Sequence, residues 1–120
     1  GYSATMSNLN GYIGSVQMNE IEMLLKKHRS QAKRWNSFFE QEKIFRPICR
    51  DECNPNYWVF GVRVDNKTEA IKRFRRMGYY ASGVHMRNDV YSVFGKQKIE
   101  LGGVDAFYDS FIALPCGWWI

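Results

Sequence analysis

His85-Met86-Arg87-Asn88 is the stretch of this 120-residue chain whose side chains could do chemistry. An imidazole, a guanidinium and a carboxamide fall close together, and an arginine near an imidazole suits a phosphate or carboxylate partner. His85 ends a segment that reads as a strand and enters a polar loop, where ligand-binding groups tend to be placed. Read without chemistry, Asn88-Asp89 is a surface turn. No other set of residues competes. The second histidine, His28, belongs to a different element, the carboxylates are scattered, and there is neither a P-loop nor a Gly-x-Gly-x-x-Gly. Cys49, Cys53 and Cys116 lack zinc-ligand spacing, so no metal site is expected and the thiols read as reduced, in a cytoplasmic protein.

Composition bounds what could surround these residues. Hydrophobic content of 45% and aromatic content of 16% argue for a folded chain, and the length suits one domain. The net charge of +5 invites an anionic partner. The positive charges are spread out, however, and Lys72, Arg73, Arg75 and Arg76 read as a solvated helix face. A small nucleic-acid-binding domain is an alternative that charge and aromatics permit. Against it, the aromatics of Tyr57–Phe60 are consecutive, so alternate ones face a core, and no RRM-type stacking motif is present. No apolar run reaches the ~20 residues of a membrane span, and Gly1 does not open a signal-peptide pattern. Neither nucleic acid nor membrane is an expected partner.

Several elements must position the candidate residues. Ser7 reads as the N-cap of a long helix. Apolar residues recur at Leu9, Ile13, Val16, Ile21, Leu24, Leu25, Ala32, Trp35, Phe38 and Phe39, in steps dominated by three and four. The helix runs to Glu40, on the order of 50 Å at 1.5 Å per residue. That length exceeds what a small domain covers, so the N-terminal half is expected to pack on something else or on a copy of itself. His28, on the apolar stripe, reads as structural. Residues 1–40 are therefore a connecting helix and 41–120 a small domain.

Pro47 and residues 50–56 interrupt regular structure. Tyr57–Val64 reads as an inner strand. Asn66 and Glu69 have capping-box spacing before a second helix that ends at Gly78. Tyr79–His85 reads as the next strand, completing a strand–helix–strand crossover. Residues 86–109 read as a long polar connection, and Phe111–Leu114 as a last strand stopped by Pro115. Trp118-Trp119-Ile120 reads as the start of a further, truncated helix. The expected class is α/β in the α+β sense: a long N-terminal helix, then a small sheet of about three strands with one packed helix.

Three blocks stand in order: Gly1–Gly14, Gly78…His85, and Leu114-Pro115-Cys116-Gly117-Trp118-Trp119. In series they resemble the C-terminal part of sugar aminotransferases of the DegT/DnrJ/EryC1/StrS family, with Met6, Ser7, Leu9, Ile13, Gly14 and Gln17 matching the first block. The resemblance implies the small domain of a fold-type I aminotransferase whose cofactor is pyridoxal phosphate. It implies amino transfer, typically from glutamate, to a nucleotide-linked keto-deoxysugar in polysaccharide biosynthesis, by a homodimer. Ser3 stands where the family often has an asparagine that reaches across the dimer toward the cofactor phosphate. Thr5 stands where a basic residue commonly helps bind an anionic group, and its lack of charge weakens that role. His85 matches a histidine near the sugar-nucleotide site, with Arg87 and Asn88 along the same cleft. The cofactor-bearing lysine of the family lies upstream of such a first block. Lys26, Lys27 and Lys33 follow the block, so this chain alone is expected to be inactive and to hold no cofactor. A helix-mediated pairing domain is the other alternative.

Overall fold

The computed structural model describes residues 5–42, 45–48, 53–95 and 99–120. Ser7 caps the first helix as expected, its hydroxyl accepting the Asn10 amide at 3.2 Å. Helix α1 spans Asn8–Gln17, a 3-10 turn covers Met18–Glu20, and α2 spans Ile21–Glu40. The single helix expected between Ser7 and Glu40 is thus a rod in two segments with a tighter turn between them. The segments differ in burial. α1 buries no residue. α2 lays Ala32, Trp35 and Phe39 into the core, spaced three and four apart so that they share one face.

Strands β1 (Phe45–Pro47), β2 (Val59–Val64) and β3 (Phe111–Pro115) form an antiparallel sheet in that order. Phe45 pairs with Val64, and Val62 with Ile112. β2 is the inner strand, as its apolar run predicts. Its alternation sends Phe60, Val62 and Val64 to one face, where they meet Ile112, Leu114 and α2 in a single core. Trp35 is central there. Its ring lies 4.8 Å from Tyr79 and 6.4 Å from Phe60, centroid to centroid, and its indole N–H donates to the Pro115 carbonyl at 2.9 Å.

Helix α3 spans Lys67–Arg76. Asn66 Oδ1 accepts the Glu69 amide at 3.1 Å. At the far end Gly78 has φ +89°. Its amide donates to Arg75 O and the Tyr79 amide to Phe74 O, each at 3.0 Å, the paired ending that a left-handed glycine permits.

Elsewhere the expectations change. The strand expected over Tyr79–His85 reduces to one antiparallel bridge, Ser82 to Ala113. Tight turns interrupt it on both sides: the Ala81 amide donates to Tyr79 O and the His85 amide to Gly83 O, both at 2.9 Å. Amides committed to neighbours two residues away cannot also extend a ladder. The crossover is also altered. Ser82 runs antiparallel to β3 and hence parallel to β2, so β3 lies between the two arms of the unit. Residues 86–109 are not a plain connection. They hold 3-10 turns at Asn88–Val90 and Ser92–Phe94 and a helix, α4, at Gly102–Ser110. Gly102-Gly103 hides that helix from propensity. β1 was unexpected because Pro47 reads as a breaker, yet an edge strand tolerates a missing N–H. Trp118-Trp119-Ile120 forms a turn, with the Ile120 amide on Gly117 O at 3.4 Å.

β3 continues directly from α4, and Gly61 of β2 admits the Phe111 ring, which a Cβ there would approach to 3.0 Å. The result is α2 and α3 on one face of the sheet and α4 toward the other. No helix among the described residues is long and apolar enough to cross a membrane.

Candidate functional site

A left-handed residue decides where Trp58 goes. Strand parity would put Trp58 on the buried face with Phe60. Tyr57 has φ +50°, with His28 Nδ1 3.3 Å from its carbonyl oxygen, and the Trp58 amide donates to Asn56 Oδ1 at 3.3 Å. Tyr57 therefore stacks on Phe60 at 6.2 Å, while Trp58 stays 63% exposed. Its ring lies nearly parallel to the His85 imidazole, with centroids 6.0 Å and planes 28° apart. His28 has the structural role expected of it.

A second left-handed residue aims His85. Val84 has φ +62°, a real outlier for a β-branched side chain. The His85 amide on Gly83 O closes a three-residue turn around it, the rarer and strained form of the γ-turn. The Val84 amide donates to Ser82 Oγ at 3.2 Å, and Ser82 is bridged to β3. The sheet thus holds the strain that points His85 at Trp58.

Beside this ring pair lies a pocket of about 290 Å³, lined also by Lys67, Phe107, Tyr108 and Phe111. Phe107 and Phe111 stack with centroids 4.6 Å apart. Lys67 is the first residue of α3. Its Nζ donates to the Tyr108 carbonyl and lies 4.1 Å from the Tyr108 ring centre. Gly83 makes room for it, since a Cβ there would come within 3.0 Å of Nζ. Desolvation holds the Lys67 pKa below the ordinary lysine value, against the opposing pull of Asp109.

Arg87 also lines the pocket, but its guanidinium is already engaged. Nε and Nη2 donate to the two carboxylate oxygens of Asp89, at 2.9 and 2.6 Å, and Nη1 donates to Asp105. The hydrogen bond with Asp89, then that with Asp105, raises Arg87 above its ordinary value, and Arg87 in turn holds Asp89 below its own. Arg87 therefore ties the Asn88–Val90 turn to α4.

The structure brings His85 and Arg87 together at one pocket. Asn88 lines the neighbouring cavity of about 430 Å³, with Asp89 and Leu101. Thr5 is exposed ahead of α1. Ser3 lies outside the described residues. Sequence reasoning missed Trp58, Lys67, Phe107, Tyr108 and Phe111. The i,i+4 spacing of Phe107 and Phe111 would have marked an apolar face had α4 been recognised. Lys67 carried no signal beyond its place after the Asn66 cap. A wider groove of about 880 Å³ along α2, near Met23, Lys33 and Pro55, contains none of the residues the sequence points to. Among the described residues, no group of three or more His, Cys, Asp or Glu side chains could hold a metal ion.

No family model and no curated protein matches the sequence. Solved structures do. The sugar aminotransferase CalS13 of Micromonospora echinospora matches with a TM-score of 0.89 at 26% identity, over 100% of this chain and 33% of that one. The fold is that of a sugar-aminotransferase small domain. AtS13 of Actinomadura melliaura matches at 0.82 and 27%, over 96% and 31%. Spr1654 of Streptococcus pneumoniae, described as a sugar aminotransferase and solved in a PLP form, matches in fold at 0.80 with 16% identity, over 97% and 32%. The chain spans about a third of the length of the solved structures it matches. The candidate site of this chain lies on the side of the sheet away from the Trp35 core, between the Ser82–Met86 turn and α4.

Proposed function

We propose that this chain is the small domain of a pyridoxal-phosphate-dependent aminotransferase of the DegT/DnrJ/EryC1/StrS kind. Its α1–α2 rod joins the domain to a large cofactor-binding domain, and the assembly is a homodimer. The reaction moves the amino group of an amino acid, glutamate in the first instance, to the keto group of a nucleotide-linked deoxysugar. The single observation that carries this reading is the match to CalS13 along the whole chain, rod included.

When bound, pyridoxal phosphate supplies the electron sink for such chemistry. The two cations lining this pocket do not by themselves fit it. A phosphate needs free donors, and Arg87 is held by two carboxylates while Lys67 rests on the Tyr108 carbonyl and ring. This chain contributes the wall around His85 and Trp58.

The α1 face supports a second surface against it, since Leu9, Ile13 and Val16 are 68%, 45% and 50% exposed on a helix that buries nothing. Pairing of this face with a copy is the runner-up reading, and Ile13→Asp with Val16→Asp would then abolish self-association without unfolding residues 45–115. The nucleic-acid alternative gains little support, because cations of α3 are engaged: Lys72 with Glu69 at 2.9 Å, Arg73 with Glu42 at 2.8 Å, and Arg75 with Ala81 O at 3.1 Å.

The test uses the product of the complete reading frame that contains this chain. Its visible spectrum with pyridoxal phosphate should show a yellow band that glutamate bleaches, whereas the 120-residue chain alone should show no transaminase turnover. A colourless product would overturn the reading.

A further inference from the structure

We propose that His28 is a positioning residue for the candidate site: from α2 it fixes the left-handed turn at Tyr57 that presents Trp58 to His85. That this ring pair meets a substrate rests on the function proposed above. That His28 sets the pair does not.

The need for such a residue arises just ahead of β2. Residues 53–57 form neither helix nor strand, so no ladder fixes their path and other groups must satisfy their backbone. Helix α2 supplies two such groups from adjacent positions. Arg29 Nε donates to the Pro55 carbonyl at 3.3 Å, and His28 Nδ1 lies 3.3 Å from the Tyr57 carbonyl oxygen. Those carbonyls flank Asn56, so α2 grips the chain on both sides of it. The Asn56 side chain then takes the Trp58 amide at 3.3 Å, which bends the chain one step further on.

The grip decides direction. A φ of +50° is uncommon for a residue other than glycine, and it persists only where the surroundings over-determine it. Without it, the alternation of β2 would extend back to Trp58 and send it to the core face with Phe60. With it, Tyr57 stacks on Phe60 and Trp58 on His85.

His28 is itself held. Cys116 Sγ donates to its backbone carbonyl at 3.5 Å, and the Trp119 ring meets the imidazole almost at right angles, with centroids 6.3 Å apart. Gly117 makes room for that ring, with which a Cβ there would collide. The imidazole therefore has the C-terminal turn as one neighbour and the Tyr57 carbonyl as another. A carbonyl oxygen only accepts, so Nδ1 carries the proton. Packing alone would not require that tautomer.

The first test needs no variant. Nitrogen NMR of the product of the complete reading frame, labelled at histidine, should show the neutral His28 ring protonated at Nδ1. A proton on Nε2 alone overturns the proposal. Crystal structures of two variants of that product are the second test. His28→Leu fills much of the ring's space without a donor. Tyr57 should then return to negative φ, and the Trp58 and His85 rings should part beyond the ~7 Å that ring pairs span. His28→Asn sets its carboxamide nitrogen where Nδ1 stood, and should keep Tyr57 left-handed and the ring pair intact. Amide exchange at Trp58 should quicken several-fold in His28→Leu and stay unchanged in His28→Asn. An unmoved Tyr57 in His28→Leu overturns the proposal, as does loss of the turn in both variants, which would assign the role to the ring and not to its donor. A glutamate-bleached yellow protein whose His28→Leu variant keeps the ring pair would sink this role and leave the aminotransferase standing. A colourless protein whose ring pair parts would do the reverse.

Discussion

Trp35 and Trp58 are the same residue put to opposite uses. Trp35 is 7% exposed and Trp58 63%. Trp35 has its N–H satisfied by Pro115 and its ring in contact with Phe38, Phe39, Phe60, Phe74 and Tyr79. Trp58 stacks on His85 at the rim of an open pocket. One face of the sheet has converted its aromatic surface into stability. The other has kept that surface available and accepts local strain at Val84 to do so. The contrast recurs in smaller residues, with Val62 against Val84.

The sharpest way to break this comparison is to truncate both tryptophans. Trp35→Ala should cost about 3–5 kcal/mol of unfolding free energy, the range for emptying a large core site. Trp58→Ala should cost no more than about 2 kcal/mol, since Trp58 keeps 63% of its surface in water. Equal losses in denaturant titrations would erase the distinction between the two faces.

The valines give the next effect. Val62→Gly removes a fully buried side chain from the inner strand and should cost about 3 kcal/mol. At Val84 the release of about 1–2 kcal/mol of left-handed strain offsets the ~0.5–1 kcal/mol that glycine adds in backbone freedom. Val84→Gly should therefore leave stability within about 1 kcal/mol of the unmutated chain. A large loss at Val84 would mean that its side chain and not its backbone does the holding.

Arg87→Met should loosen α4 without touching the core. Amide exchange over Gly102–Ser110 should quicken several-fold while Phe60–Val64 keeps its protection. Uniform quickening would deny the two regions separate behaviour. Acid should mimic the variant. Asp89 is held below its ordinary carboxylate value by Arg87, so its contribution is present above that ordinary value and is lost as pH falls through the lowered folded one.

The smallest effect concerns the thiols. Burial pushes Cys116 up to about 11, whereas Cys53 is exposed. A thiol reagent at neutral pH should modify Cys53 well before Cys116. Between pH 9.0, where an unburied thiol ionises, and about 11 the unfolded chain binds fewer protons, so stability should decline as pH rises through that window. Prompt labelling of Cys116 in the folded chain would contradict its burial.

Much of the scaffold was legible because it is decided within a few residues. Ser7 and Asn66 cap helices by bonding amides three positions on, and Gly78 ends α3 through bonds inside a single turn. Ala32, Trp35 and Phe39 declare the buried face of α2 by spacing alone. Of the candidate site, His85 and Arg87 were visible by residue type, whereas the rest of the pocket was not. Lys67 meets Tyr108 across 41 positions, and Arg87 meets Asp105 across 18. α4 was hidden by its opening glycines, and its packing toward the sheet, its tie to Arg87 and the Lys67 contact with Tyr108 compensate for their poor helix propensity.

The sequence by itself determined the rod, the inner strand, the capped helix and the α+β class, because hydrophobic period and capping are local physics. Tertiary structure decided that Trp58 turns away from Phe60, that Tyr79–His85 keeps only one bridge to the sheet, and that a lysine and four aromatic side chains close around His85. Those outcomes depend on two left-handed residues, Tyr57 and Val84, and on contacts between distant segments. Neither a propensity nor a period carries that information, since both are set by the path of the whole chain.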